Sequence, residues 1–259
     1  MSVGAEPEAT SLRGIDLSRT FRSRSRVVAA VEDVDIAVLE GESLGLVGPS
    51  GSGKSTLLSL LLGTERPDRG EVLFNGAPLV GRQQLREARQ AVQFIPQDPA
   101  SSLDPRRTVE HQLREPLRRF GIEGDHKSLV QDALEQVGLV TGYLGRRAHE
   151  LSGGQAQRVA MARALVTRPR ILLADEAVSG LDLPLRNQVL DLLKQLHARD
   201  GLGLLFISHD LTAIHQLCQR ALVFDHGRVV EEGPTSELFY RPAHPTTQEL
   251  VDAIPLLPA

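Results

Sequence analysis

At 259 residues the chain is long enough for one large domain or two lobes sharing a core, and its formal net charge of −4 gives no global field that favours nucleic acid. Its longest apolar stretch, near Leu57 to Leu62, is far short of a bilayer span. The acidic N-terminus (Glu6, Glu8) carries no apolar segment suited to secretion, so the chain is expected to stay in the cytoplasm and reach a membrane only through partners.

Residues 1 to about 10 are expected to be a disordered tail, as untethered termini commonly are. Arg22, Arg24 and Arg26 make a locally basic run that reads as a solvated loop. Val27 to Val38 alternates imperfectly and reads as strand material. Glu40-Gly41-Glu42 then turns the chain into Ser43-Leu44-Gly45-Leu46-Val47, a short apolar run of the kind a doubly buried strand presents. A glycine-rich loop follows, then a helix from Lys54 through Leu62 that Gly63 and Pro67 stop. Glu71 to Phe74 is a strand closed by an Asn75-Gly76 turn suited to a hairpin.

From about Pro99 to Leu165 the chain is Arg-rich and helical in spacing, with few β-branched runs, and reads as a helical lobe inserted into an α/β core. Two more buried strands, Ile171 to Ala174 and Leu204 to Ser208, flank a helix from about Leu183 to Arg199. Cys218, the only cysteine, excludes an internal disulfide or a multi-cysteine metal centre within one chain, and its expected role is that of a small buried apolar residue. A strand over Ala221 to Asp225 and a hairpin return over Arg228 to Glu231 finish the core. Alternation of strand and helix predicts an α/β fold with a mainly parallel sheet.

Gly48-Pro49-Ser50-Gly51-Ser52-Gly53-Lys54-Ser55-Thr56 fits the phosphate-loop pattern G-x-x-x-x-G-K-[ST] and sits between strand and helix, as that pattern requires. Its glycines let backbone N–H groups converge on phosphate oxygens, and the helix that begins near Lys54 points its positive end at the same anion. Lys54 is the expected ligand of the β- and γ-phosphates, and the Ser55 hydroxyl that of Mg²⁺.

Ile171 to Glu176 is an apolar strand ending in two carboxylates, at the edge where α/β sheets bind ligands. Asp175 is the candidate Mg²⁺ partner, direct or second-sphere, and Glu176 the candidate general base for an attacking water. Leu205 to Asp210 repeats the design: a neutral His209 at the strand end can donate a hydrogen bond to the γ-phosphate. Gln97 closes a short strand just before the helical lobe, where its amide can touch Mg²⁺ or the attacking water while its backbone acts as a hinge. Leu151-Ser152-Gly153-Gly154-Gln155 offers a second anion site at a helix start, with Ser152 capping a helix from about Gly154 to Val166 and two glycines baring their N–H groups. One triphosphate does not need two such sites in one chain unless they act on different nucleotides.

The order of phosphate loop, Gln97, Leu151 to Gln155, Asp175-Glu176, Leu181-Asp182 and His209 resembles the ATP-binding subunit of ABC transporters over nearly the whole chain. The resemblance implies a P-loop ATPase core with an antiparallel β subdomain and an α-helical subdomain inserted over about 99–165. The nucleotide-binding domain would span 11–259, with a family tail over about 232–259. ATP and Mg²⁺ are the implied cofactors. Two ATPase subunits, alike or different, would pack head to tail, each ATP lying between one phosphate loop and the Ser152, Gly153, Gly154 and Gln155 of the other subunit.

Two transmembrane permease subunits and, indirectly, an extracytoplasmic solute-binding protein are the further implied partners. The chain would lie peripherally on the cytoplasmic face of the inner membrane, with no nucleic-acid partner. By analogy Phe21 is placed as the adenine-stacking aromatic, where tyrosine is commoner. Gln97 to Arg106 is similar to the Q-D-P-x-x-S-L-N-P-R stretch of peptide and nickel importers, and Arg241 to Leu250 to their P-x-H-P-Y-T-Q-x-L ending. Asp175 to Leu183 and Leu217 to Arg220 look closest to the nickel-import subunit. Pro96 and Thr246 depart from the pattern, which has phenylalanine and tyrosine there.

The implied function is ATP hydrolysis that energises an importer for nickel or short peptides. The alternative is a soluble ABC-type ATPase acting on DNA or ribosomes. Such proteins separate their nucleotide motifs with long coiled coils or zinc modules, or carry two ATPase domains, and this sequence shows neither. A GTPase or small-molecule kinase leaves Leu151 to Gln155 unexplained and would need an Asn-Lys-x-Asp base reader, which is missing.

Overall fold

In the computed structural model, which describes residues 9–22 and 27–254, the strands sort into two sheets. An antiparallel sheet holds β1 (Ser11–Arg22), β2 (Val27–Leu39), β4 (Arg69–Phe74) and β5 (Ala77–Pro78) in the order β2-β1-β4-β5. The larger sheet holds β3 (Ser43–Val47), β6 (Val92–Ile95), β7 (Ile171–Asp175), β8 (Gly203–Ser208), β9 (Arg220–Asp225) and β10 (Arg228–Pro234). Its order is β10-β9-β3-β8-β7-β6, and every pairing is parallel except that of β10.

Side chains along β3, β7 and β8 alternate between two cores. Leu44, Leu46, Ile171, Leu173, Leu205 and Ile207 turn toward α1 (Lys54–Leu61) and the antiparallel sheet. Val47, Leu172, Ala174, Leu204 and Phe206 turn toward the helices on the other side. With both faces covered, an unbroken apolar run is what each strand needs, and each Val, Leu, Ile or Phe among them contributes roughly 1.5–3 kcal/mol of burial.

The helical side comprises α3 (Val109–Phe120), α4 (His126–Gln136) and α5 (Gly153–Leu165) of the inserted lobe, with α6 (Leu183–Asp200) and α7 (Leu211–Leu217). α2 (Arg82–Ala91) precedes β6, while α8 (Thr235–Tyr240) and α9 (Pro245–Asp252) follow β10. Cys218 is buried as expected, and burial pushes its thiol well above the usual range.

Residues 1–8 of the expected tail lie outside the described residues, as do Arg24 and Arg26 of the basic run. Thr10 exchanges two hydrogen bonds with Glu40: its N–H donates to the carboxylate at 3.1 Å, and its carbonyl accepts from the Glu40 N–H at 2.8 Å. Among the described residues no helix is long and apolar enough to cross a membrane.

Candidate functional site

The strand order β3-β8-β7-β6 lays four polar segments side by side at the carboxyl edge of the large sheet. Across that edge run the phosphate loop after β3, His209 after β8, Asp175-Glu176 at the end of β7, and Gln97 after β6. Together with Val28, Ala29 and Ala30 of β2, they line a cleft of about 1000 Å³.

Within the phosphate loop, close packing dictates the glycines. A Cβ on Gly48 would lie 2.0 Å from the Phe224 carbonyl oxygen. Gly53 has φ +111°, and a Cβ there would lie 2.0 Å from the Ala30 carbonyl oxygen. The loop is braced from the β9–β10 turn, where the Gly227 N–H donates to the Ser52 carbonyl and the Gly227 carbonyl accepts from the Glu32 N–H, both at 2.8 Å.

Lys54 is only 7% exposed, and its Nζ donates to the carbonyls of Gly48 and Pro49 at 2.8 Å each. Burial pulls its ammonium below the usual lysine range, opposed by the carboxylates of Glu176 and Asp175. α1 begins with no side-chain cap and no acidic residue in its first turn. Its N–H groups are therefore left to an anion.

Glu176 is the hub of the opposite wall. Gln97 donates its Nε2 amide to Glu176 Oε2 at 2.9 Å, and His209 Nδ1 lies 3.0 Å from Glu176 Oε1. The Glu176 backbone sits at φ +45°, a conformation costly for a side chain, and its N–H donates to the Ile207 carbonyl at 2.9 Å. A neutral His209 that donates Nδ1–H to Glu176 keeps only an acceptor at Nε2. Donation to a γ-phosphate, expected from the sequence, therefore requires the ring to leave Glu176 or to be protonated.

Asp175 is held above the usual carboxylate range by burial and by its neighbour Glu176, with Lys54 opposing. Among the described residues no group of three or more His, Cys, Asp or Glu side chains forms a metal cage. The Ser55 hydroxyl, the Asp175 carboxylate and the Gln97 amide offer hard oxygen donors instead. That donor set fits Mg²⁺, which keeps several waters and phosphate oxygens in its shell.

The structure separates Ser152, Gly153, Gly154 and Gln155 from this cleft and places them at the start of α5 in the helical lobe. Ser152 and Gln155 close a capping box: the Gln155 N–H donates to Ser152 Oγ at 3.4 Å, and the Ser152 N–H to Gln155 Oε1 at 3.1 Å. Ser152, Gly154 and Gln155 line a second hollow of about 400 Å³ with Val140 and Tyr143. Phe21 also lies off the cleft wall. It is half-exposed on β1, with the Arg19 guanidinium 5.0 Å from its ring centroid, and its cross-strand partner Val28 lines the cleft.

Sequence reasoning missed several contributors, Val28, Ala29 and Ala30 of the cleft wall among them. Leu250 of α9 and the following Ala253 stand on the cleft wall, brought there by tertiary docking that no local pattern signals. Gln157 and Arg163 of α5 bond to the segments that follow Glu176 and Gln97. Polar residues at helical spacing ordinarily read as a solvated face.

The family described as ABC transporter matches residues 31–179. Over 247 residues the chain is 40% identical to the oligopeptide transport ATP-binding protein OppF of Streptococcus pyogenes serotype M1, a match covering 93% of this chain and 80% of that protein. The fold is similar to that of the ATP-binding cassette MJ0796 in a dimeric post-hydrolysis state bound to ADP and Pi. That match has a TM-score of 0.78 at 28% identity and covers 86% of this chain and 98% of the other. Similar too is cbiO1 from Clostridium perfringens, part of the ABC transporter complex cbiONQ, with a TM-score of 0.76 at 26% identity over 89% of this chain and 90% of that one. Fold, order of motifs and sequence identity agree: this chain belongs to the ABC transporter family as one of its ATP-binding subunits, an ATPase coupled to transport.

Proposed function

We propose that this chain is one of two ATPase subunits that pack head to tail and drive the import of short peptides through two permease subunits, from the cytoplasmic face of the membrane. The observation that carries the pairing is the separation of the two anion sites. The capped start of α5 opens on its own hollow, away from the cleft that holds the phosphate loop. A second subunit's α5 closes each cleft in this reading, and the dimeric state named for MJ0796 supports it. The oligopeptide transport for which OppF is named supports oligopeptides over nickel as cargo.

The chemistry follows from the residues of the cleft. Loop N–H groups, Lys54 and the N-terminus of α1 hold the β- and γ-phosphates. Phosphate charge also relieves the penalty that burial places on the Lys54 ammonium. Glu176 orients and deprotonates the attacking water, and Gln97 and His209 fix the direction of its two oxygens before any nucleotide arrives. Ser55, Asp175 and Gln97 would hold Mg²⁺, whose charge neutralises the phosphates. Phe21 would lie against the adenine from the β1 side of the cleft.

The test is the importer reconstituted with its permease subunits and solute-binding protein, assayed with a panel of short peptides and Ni²⁺. Peptides are expected to drive uptake with ATP consumption, and uptake of Ni²⁺ alone would overturn the cargo. Glu176→Gln is expected to lower turnover at least about a hundredfold while ATP stays bound. Wild-type turnover by that variant would remove Glu176 as the base.

A further inference from the structure

We propose that Gln157 and Arg163 are positioning residues that tie helix α5 to the two loops carrying Gln97 and Glu176, so that engagement of α5 at the partner's nucleotide is relayed to this chain's own general base. The proposal rests on the head-to-tail pairing and the role of Glu176 set out above.

The geometry is a closed ring. α5 runs for 13 residues, a rod about 20 Å long whose first turn carries Ser152 and the two glycines. Its next turn delivers Gln157, only 5% exposed, whose Nε2 donates to the carbonyl of Ala177 at 2.9 Å, the residue that follows Glu176. Its last turn delivers Arg163, half-buried, whose two terminal nitrogens donate to the carbonyl and hydroxyl oxygens of Ser102, each at 2.7 Å.

Ser102 ends a short 3-10 turn, Ala100–Ser102, and Ser101 bonds back to Asp98 through both its N–H and its hydroxyl. The segment from Asp98 to Ser102 is thereby stiff, and Pro96-Gln97 is left as the joint with β6. The 2.9 Å contact between Gln97 and Glu176 completes the ring. Packing alone does not ask for these two polar side chains, because Val159, Ala160, Met161 and Ala162 between them are apolar and buried. A tilt of α5 pulls on both loops together. Those two loops hold the amide and the carboxylate that meet at the reacting water.

The test uses the full chain in the reconstituted importer, with Gln157→Met and Arg163→Met, which keep volume and remove the donors, and Arg163→Lys, which restores one. Relay predicts ATP affinity close to wild type, a Tm lowered by no more than several degrees, a fall in kcat of about tenfold or more per bound ATP, and a loss of positive cooperativity between the two sites. Arg163→Lys recovers part of the rate. The double variant loses no more than the worse single, because both act through one ring.

Unchanged kcat and cooperativity per bound ATP in both single variants would overturn the proposal. So would a loss confined to Tm and the fraction of folded protein. If Arg163→Met does not fold, Ser102→Ala removes one acceptor with Arg163 in place and carries the same expectations. Failure of the parent reading is distinct: there Glu176→Gln stays active. If Glu176→Gln is inactive while the α5 variants match wild type, the relay alone is wrong.

Discussion

At the end of β7, Asp175 shares its surroundings with a second carboxylate, Glu176, and with one cation, Lys54. Burial and Glu176 raise its pKa in the folded chain, and Lys54 recovers only part of that. An acid whose folded pKa is raised binds its proton more tightly folded than unfolded. Its charge therefore works against folding above the folded pKa, and the effect fades as the pH falls toward the ordinary Asp range, where both states are protonated. Asp175→Asn is thus expected to raise Tm by about 2 °C at pH 7, a gain that shrinks on acidification. The same variant should hydrolyse ATP at least about a hundredfold more slowly, since a neutral amide is a poorer partner for a divalent cation. Scanning calorimetry at neutral and acid pH, with a turnover assay, checks both halves. A variant less stable than wild type at pH 7 would contradict the sign. The opposition of stability and activity at one side chain marks a group kept for chemistry.

α9 is docked through two carboxylates of neighbouring strands: Asp225 at the end of β9 accepts the Thr246 hydroxyl at 2.9 Å, and Glu231 on β10 holds the rest of its first turn. Glu231 on β10 accepts the N–H groups of Ala243 and His244 at 2.9 Å each and the hydroxyl of Thr247, itself fully buried. Partial burial alone would raise the Glu231 pKa, but hydrogen bonds from Thr247, Ala243 and His244 outweigh it and hold the carboxyl below its usual range. A depressed carboxylate lends stability above its unfolded pKa and loses it as the pH falls through the folded value. Glu231→Gln, with one acceptor oxygen in place of two, should speed hydrogen exchange across 243–252 about tenfold at pH 7. Protection in β3, β7 and β8 should not change, and the wild type should approach the variant in acid. Equal protection of α9 in both chains at neutral pH would show that other contacts hold it. The same elements show what a sequence can disclose. β3, β7 and β8 are legible because both their faces are buried, so their apolar runs need no partner to be recognised. β1 is not, because its register shifts at three places and breaks the alternation. α2 fully buries only Ala88, and its apolar stripe of Leu85, Ala88 and Ala91 is too narrow and too small in its side chains to stand out from the charged residues around it. In the candidate site, the phosphate loop and each strand-end group are local patterns. That Gln97, Glu176 and His209 meet depends on the lateral order β8-β7-β6, which order along the chain does not state.

For the whole molecule, the proposed head-to-tail pairing makes a demand that folding alone does not. Gly153 is the first residue of α5, and a Cβ there would meet nothing within 4 Å, so the fold has room for a side chain. A carboxylate in the first turn of a helix is favoured by the dipole, by about 0.3–1 kcal/mol, and replacing glycine removes a residue of poor helix propensity. Gly153→Asp should therefore fold with an unchanged or slightly higher Tm and bind ATP at its own phosphate loop as before. In the proposed closed pair, however, the same carboxylate would face the triphosphate held by the other subunit. Two unit charges about 5 Å apart at an effective dielectric constant near 20 repel by about 3 kcal/mol, enough to weaken pairing more than a hundredfold. The measurement is light scattering with ATP in a Glu176→Gln background, alone and mixed with the second ATPase subunit of the same importer. Glu176→Gln is expected to pair once ATP is added, and Glu176→Gln with Gly153→Asp to remain monomeric with ATP bound. Pairing by the double variant would remove α5 from the partner's site. Retained ATP binding and an undiminished Tm would separate loss of the pair from loss of the fold, because the substitution favours the helix and opposes only the phosphate that a second subunit brings.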